Sequence, residues 1–70
     1  MDRKELIELG EIIKAKRVKL GLTQLELAEL CKVDRNYIGM LERGERNPSY
    51  LTLMKIAYGL KIKVYELIKP

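Results

Sequence analysis

The sequence predicts an all-α domain of five short helices, and three observations carry that expectation. Apolar residues recur at helical spacing along most of the chain, several runs open on a residue type that caps helix N-termini, and no stretch alternates apolar with polar as a half-buried strand would. Seventy residues, 47% apolar and 34% charged with five Gly and two Pro, read as an ordered globular chain and suffice for one domain over residues 1–70. So small a domain buries a limited share of its surface, and a partner that adds burial would add stability.

The first helix is expected from about Arg3 to Leu20. Leu6, Leu9, Ile13 and Leu20 recur at helical spacing, Asp2 and Glu5 stand three apart as a capping pair, and Gly21 supplies a stop. Gly10 inside it is a weak helix former. The second helix opens at Thr23-Gln24-Leu25-Glu26, where Thr23 accepts from the N3 amide and Glu26 reaches back to the Thr23 amide. Leu25, Leu27 and Ala28 form its expected inward stripe, and the pattern ends near Cys31-Lys32-Val33. Asp34 caps a third helix with Ile38 and Leu41 inward and a stop at Arg43-Gly44. Only about three residues separate the second and third helices, so the two pack at a steep angle, with Val33 pointing inward from the turn. Glu45-Arg46-Asn47-Pro48 is a polar loop. Pro48 before Ser49 marks the entry to a fourth helix with Leu51, Met54, Ala57 and Leu60 toward the core, and residues Val64 to Ile68 make a short fifth.

Composition excludes several classes. The lone Cys31 has no disulfide partner and reads as a small buried apolar residue, and without histidine there is no Cys/His cluster for structural zinc. No apolar run approaches the roughly 20 residues that cross a bilayer, and the acidic start Met1 to Glu5 lacks a signal peptide's charge pattern, so a cytoplasmic protein without a membrane partner is expected. An enzyme is not expected: there is no histidine, no Gly-rich phosphate loop and no base for Cys31. No cofactor, metal or small-molecule ligand is expected either. The net charge of +4 is compatible with nucleic acid but weak support for it. Between Asp34 and Asn47 three arginines face three acids, so a nucleic-acid reading must rest on geometry.

That geometry is present in the third helix. A helix in the major groove touches base edges with exposed side chains near its N-terminus, while its other face stays apolar. With Ile38 and Leu41 inward, Arg35, Asn36, Gly39 and Met40 fall on the outer face and Tyr37 at its edge. Arginine pairs with guanine O6 and N7, and asparagine with adenine N6 and N7. Thr23 and Gln24 open the second helix where free amides favour a phosphate, and Arg43, Arg46 and Asn47 follow the third helix on the other side of the groove. Gly39 is expected to let a DNA backbone approach closely.

Leu22-Thr-Gln-Leu-Glu-Leu-Ala28, Asp34-Arg-Asn-Tyr-Ile-Gly-Met-Leu-Glu-Arg-Gly44 and Arg46-Asn-Pro-Ser49 resemble the Cro/C1-type (XRE) helix-turn-helix family over about Leu9 to Ile68. Within it they are most similar to the controller proteins of restriction-modification systems. The resemblance implies a compact five-helix lambda-repressor-like DNA-binding domain, with the helix-turn-helix at helices 2 and 3. It implies that Gln24 touches phosphate and braces the reading helix, that Arg35 and Asn36 read bases, and that Arg46 and Asn47 hold phosphate. It also implies an Arg17–Glu42 ion pair between the first and third helices. Lys16 departs from the pattern where an apolar residue is usual, Lys61 where glycine commonly ends the fourth helix, and Lys63 where Ser or Asp commonly caps the fifth.

Tyr50, Leu53, Tyr58, Val64, Tyr65 and Ile68 exceed what so small a domain can bury, and Tyr50, Leu53, Tyr65 and Ile68 are the expected homodimer interface. The expected function is a sequence-specific transcriptional regulator of double-stranded DNA on a pseudo-palindromic operator, repressing by occupancy or activating by contact with RNA polymerase. The alternatives are an antitoxin, a phage or mobile-element repressor, or a protein-interaction module on the same fold.

Overall fold

Four α-helices and a 3-10 turn succeed one another in the computed structural model, which describes residues 1–68. They are α1 (Arg3–Lys19), α2 (Gln24–Cys31), α3 (Arg35–Glu42), α4 (Tyr50–Leu60) and the turn Val64–Leu67. No strand occurs among the described residues, and no helix among them is long and apolar enough to cross a membrane.

Local chemistry sets where each helix starts. The Asp2 carboxylate accepts from the Glu5 N–H and the Glu5 carboxylate from the Asp2 N–H, both at 2.9 Å. Thr23 and Glu26 repeat this box at 3.0 and 2.8 Å. Asp34 accepts from the Asn36 N–H at 2.7 Å and Ser49 from the Thr52 N–H at 3.2 Å. Each bond satisfies a donor that the first turn leaves without an intrahelical acceptor.

The helix ends are less conventional. Lys32 after α2 and Lys61 after α4 both adopt left-handed backbone, with φ of 59° and 60°. Glycine is the usual occupant of that conformation, which costs another residue about 1–2 kcal/mol. Lys61 nonetheless closes α4 as glycine would, the Ile62 N–H donating to the Ala57 carbonyl at 3.0 Å. Lys63 offers no side-chain cap, although its backbone N–H donates to Glu66 at 2.8 Å. The expected short fifth helix is a four-residue 3-10 turn, with Ile68 beyond it in extended backbone.

Leu9 and Ile13 of α1, Leu27, Ala28 and Cys31 of α2, and Ile38 and Leu41 of α3 meet Leu53, Ile56, Ala57 and Leu60 of α4 in one core. Leu67 completes it from the 3-10 turn, which lies against α4 and α1. Val33 packs against this core from the α2–α3 turn as expected. Several phase assignments need correction. Leu25 and Leu20 are about half exposed, and in α4 Leu51 and Met54 face solvent while Leu53 and Ile56 are inside. Eight of the eleven α4 residues are apolar, so more than one stripe fits helical spacing. Close approach decides between them: a Cβ on Gly59 would lie 2.5 Å from the Cys31 sulfur, so this face must turn toward α2.

Gly10 plays the same part between α1 and α3. A methyl there would collide with the carbonyl oxygens of Leu41 and Glu42, so its poor helix propensity is the condition for backbone-to-backbone contact. Lys16, which stands where an apolar residue is usual, is half-buried with its ammonium 4.0 Å from the Glu66 carboxylate.

Candidate nucleic-acid interface

α3 is two helical turns long, and nearly every position is committed. Ile38 and Leu41 are essentially inaccessible and fix the inner face, while Arg35 and Asn36 stand exposed at the N-terminal end. Met40 is half-buried on the flank. This is the division that a helix seated in a groove requires.

A polar network fixes the angle between α2 and α3. Arg17 of α1 donates through Nε to Glu42 Oε2 at 2.7 Å and through Nη2 to Oε1 at 3.1 Å, a two-pronged pair. Its third nitrogen, Nη1, donates to the Leu22 carbonyl at 2.7 Å, just before α2. Gln24 Nε2 then donates to Glu42 Oε1 at 3.0 Å. With side-chain exposures of 11% for Arg17 and 3% for Glu42, this ion pair is shielded from solvent. The expected pairing of Arg17 with Glu42 is therefore present, and the brace from Gln24 to α3 runs through the same carboxylate.

Gly39 requires a correction. It is buried rather than open on the outer face, because the Gln24 amide and the Arg43 guanidinium lie over it, 3.2–3.8 Å from where a Cβ would be. Its missing side chain makes room for these two flexible polar groups. The surface offered at this point is theirs, with no bare backbone to approach.

The remaining candidates form two groups. Thr23 is exposed, with its hydroxyl oxygen accepting the Glu26 N–H, beside the first turn of α2. On the other flank, Arg43 donates to Glu45 at 2.8 and 3.2 Å. That hydrogen bond raises the Arg43 guanidinium above its ordinary range and lowers the Glu45 carboxyl below its own. Arg46 lies over the half-buried Tyr37 ring, 5.3 Å from its centre, a cation–π arrangement that holds Tyr37 and the loop together. Asn47 is exposed beside it.

These contacts change the formal charge balance of the segment. Glu42 is used internally by Arg17, Glu45 is used by Arg43, and Asp34 caps α3. Among the described residues no carboxylate lies within 4.0 Å of the Arg35 or Arg46 guanidinium. The sequence reasoning missed Glu45 as the partner of Arg43 and Arg46 as a lid on Tyr37. The alternation Arg43-Gly44-Glu45-Arg46 was the available signal for the first, and the second depends on loop geometry.

The expected dimer residues divide similarly. Tyr50, Tyr65 and Ile68 are 64%, 74% and 52% exposed, but Leu53 is 5% exposed and belongs to the core, which withdraws it from any interface.

The Helix-turn-helix family matches this chain over residues 13–67. The solved structure of the restriction-modification controller protein C.AhdI from Aeromonas hydrophila has a TM-score of 0.91 and 38% sequence identity to it, covering 93% of this chain and 98% of that one. Control protein C.SmaI of Serratia marcescens is 40% identical over 68 residues, 97% of this chain and 79% of that protein. The immunity repressor protein of Bacillus phage phi105 is 40% identical over 60 residues, 86% of this chain and 42% of the repressor.

Proposed function

The chain belongs to the helix-turn-helix (XRE-type) family of transcriptional regulators, and we propose that it recognises a pseudo-palindromic operator in double-stranded DNA as a homodimer. The observation that carries this reading is the exposed Arg35–Asn36 pair, on a helix held from behind by Ile38, Leu41 and the Arg17–Glu42–Gln24 network. Arg35 and Asn36 read bases. Thr23 and Gln24 on one flank, and Arg43, Arg46 and Asn47 on the other, hold phosphates. Tyr37 supports the second flank through Arg46.

One α3 spans only a few base pairs, so twofold pairing with reading helices about 34 Å apart extends the site across successive major grooves. Tyr50, Tyr65 and Ile68 supply exposed apolar surface for that pairing. Repression follows from covering promoter sequence, and activation from touching RNA polymerase at an adjacent site. Identity of 38% with a restriction-modification controller protein and of 40% with a control protein, over nearly the whole chain, favours a controller role. The phage repressor at 40% identity keeps a second reading, phage or mobile-element repression, in view.

Selection from a random duplex pool tests the proposal. An enriched inverted repeat with half-sites one helical turn apart is the expected result, and a pool without enrichment at low salt refutes it. Sedimentation at high micromolar concentration tests the pairing, which a purely monomeric profile excludes.

A further inference from the structure

Away from the reading helix, the last turn of α2 and the outer face of α4 enclose an apolar trough. Two hollows of about 440 and 380 Å³ adjoin there, both lined by Leu30 and Tyr58. Met54 extends the floor at one end and Ile62 at the other. Leu30, Met54 and Tyr58 are 47%, 44% and 80% exposed, so three large apolar side chains meet water in one place, the mark of a contact surface.

The rim has one sign of charge. Lys32, Lys55 and Lys61 line the hollows, and no acidic side chain does so. Among the described residues no carboxylate lies within 4.0 Å of any of the three ammonium groups. Two of these lysines hold backbone that glycine would occupy with less strain, Lys32 at φ 59° and Lys61 at φ 60°. Local stability favours glycine at both positions, and lysine at both flanks of one groove points to a constraint other than folding.

We propose that this trough docks an acidic amphipathic helix of another protein, its apolar side chains on Leu30, Met54 and Tyr58 and its carboxylates against Lys32, Lys55 and Lys61. A second copy of this chain is a poor occupant, because twofold pairing would set the lysines against one another. Duplex DNA would meet the lysines but leave the apolar floor unmatched. The proposal goes beyond DNA recognition, with which the trough shares no residue.

The test uses the full chain without DNA and two fluorescent pools of helical peptides about 16 residues long, roughly four turns. Both carry Leu at i, i+3, i+4 and i+7, with Glu at the flanking positions in one and Lys in the other. Anisotropy should rise with the acidic pool only. Lys32→Gly with Lys61→Gly should weaken that binding about tenfold while the melting temperature holds or rises, so that misfolding is excluded. Tyr58→Ala, at a residue outside the core, should weaken it comparably. Arg35→Ala should leave it unchanged, which separates this outcome from failure of the DNA reading. Equal capture of both pools, no capture of the acidic pool, an unaltered affinity in the double variant, or displacement of the peptides by duplex DNA would each overturn the proposal.

Discussion

Replacing Glu42 with alanine removes the carboxylate on which three elements converge. The Arg17 guanidinium would keep its single bond to the Leu22 carbonyl and lose both prongs to Glu42, at 2.7 and 3.1 Å, while the Gln24 amide would lose its acceptor. The Glu42 side chain is 3% exposed and that of Arg17 11%, so little water is available to compensate. Breaking one side of such a buried pair costs about 3–5 kcal/mol, because the remaining charge stays desolvated. A chain of this length has a total stability of roughly 4–10 kcal/mol, so the loss is a large fraction of it. Urea unfolding followed by circular dichroism should show the midpoint lowered by about 2–4 M at an unchanged slope. Arg17→Met combined with Glu42→Leu should recover most of the loss, since a matched apolar pair leaves no orphaned charge. That double variant should fold yet bind duplex DNA more weakly, because Gln24 no longer has its brace. A loss below about 1 kcal/mol in Glu42→Ala, or a double variant no more stable than the single one, would show that the network does not hold the helices together.

Gly10→Ala should destabilise by about 2–3 kcal/mol or more, since the added methyl meets backbone carbonyls that cannot rotate away; a melting temperature equal to that of the parent would contradict the contact between α1 and α3. Arg35→Ala should cost about 1–3 kcal/mol on the preferred operator and relax preference at one base pair per half-site, whereas Arg46→Ala should weaken all sequences alike and reduce the salt slope by about 1. Identical effects of the two changes on every duplex would refute the division between reading and holding. Glu45→Ala should free Arg43 from its 2.8 Å pair and raise affinity for all duplexes several-fold at low salt, and filter binding that shows a decrease would rule out a phosphate role for Arg43. Burial pushes the Cys31 thiol from 9.0 up to about 11. A pKa raised on folding gives a stabilisation that is complete below the unfolded value and lost as pH rises through the folded one. The stability advantage of the parent over Cys31→Ala should therefore be flat to about pH 9 and shrink toward pH 11, and a difference that stays constant across this range would argue against a shielded thiol.

Much of the fold was legible because its signals are local. Asp2 with Glu5, Thr23 with Glu26, and Asp34 are chemical statements about neighbouring amides, and the starts of α1, α2 and α3 follow from them. Ile38 and Leu41 were legible because α3 mixes polar and apolar residues enough to fix its phase. In α4 the reasoning from spacing misplaced Leu51, Met54 and Leu53, since eight of its eleven residues are apolar and more than one stripe fits helical spacing; the close approach of Gly59 to Cys31 marks the face that turns inward. The same limit applies at the candidate site. Arg35 and Asn36 could be placed from their offset to Ile38, but the covering of Gly39 by Gln24 and Arg43 depends on the crossing of two helices.

The division of labour along α3 has a consequence for how such a regulator diverges. Ile38, Gly39 and Leu41 are enclosed and Glu42 is tied to two other helices, so lineages cannot alter them without risking collapse of the domain. Arg35 and Asn36 project freely, and their side chains support nothing else in the molecule. On the proposed reading of bases by Arg35 and Asn36, new operators can be acquired by exchange at two adjacent codons, with the scaffold inherited intact.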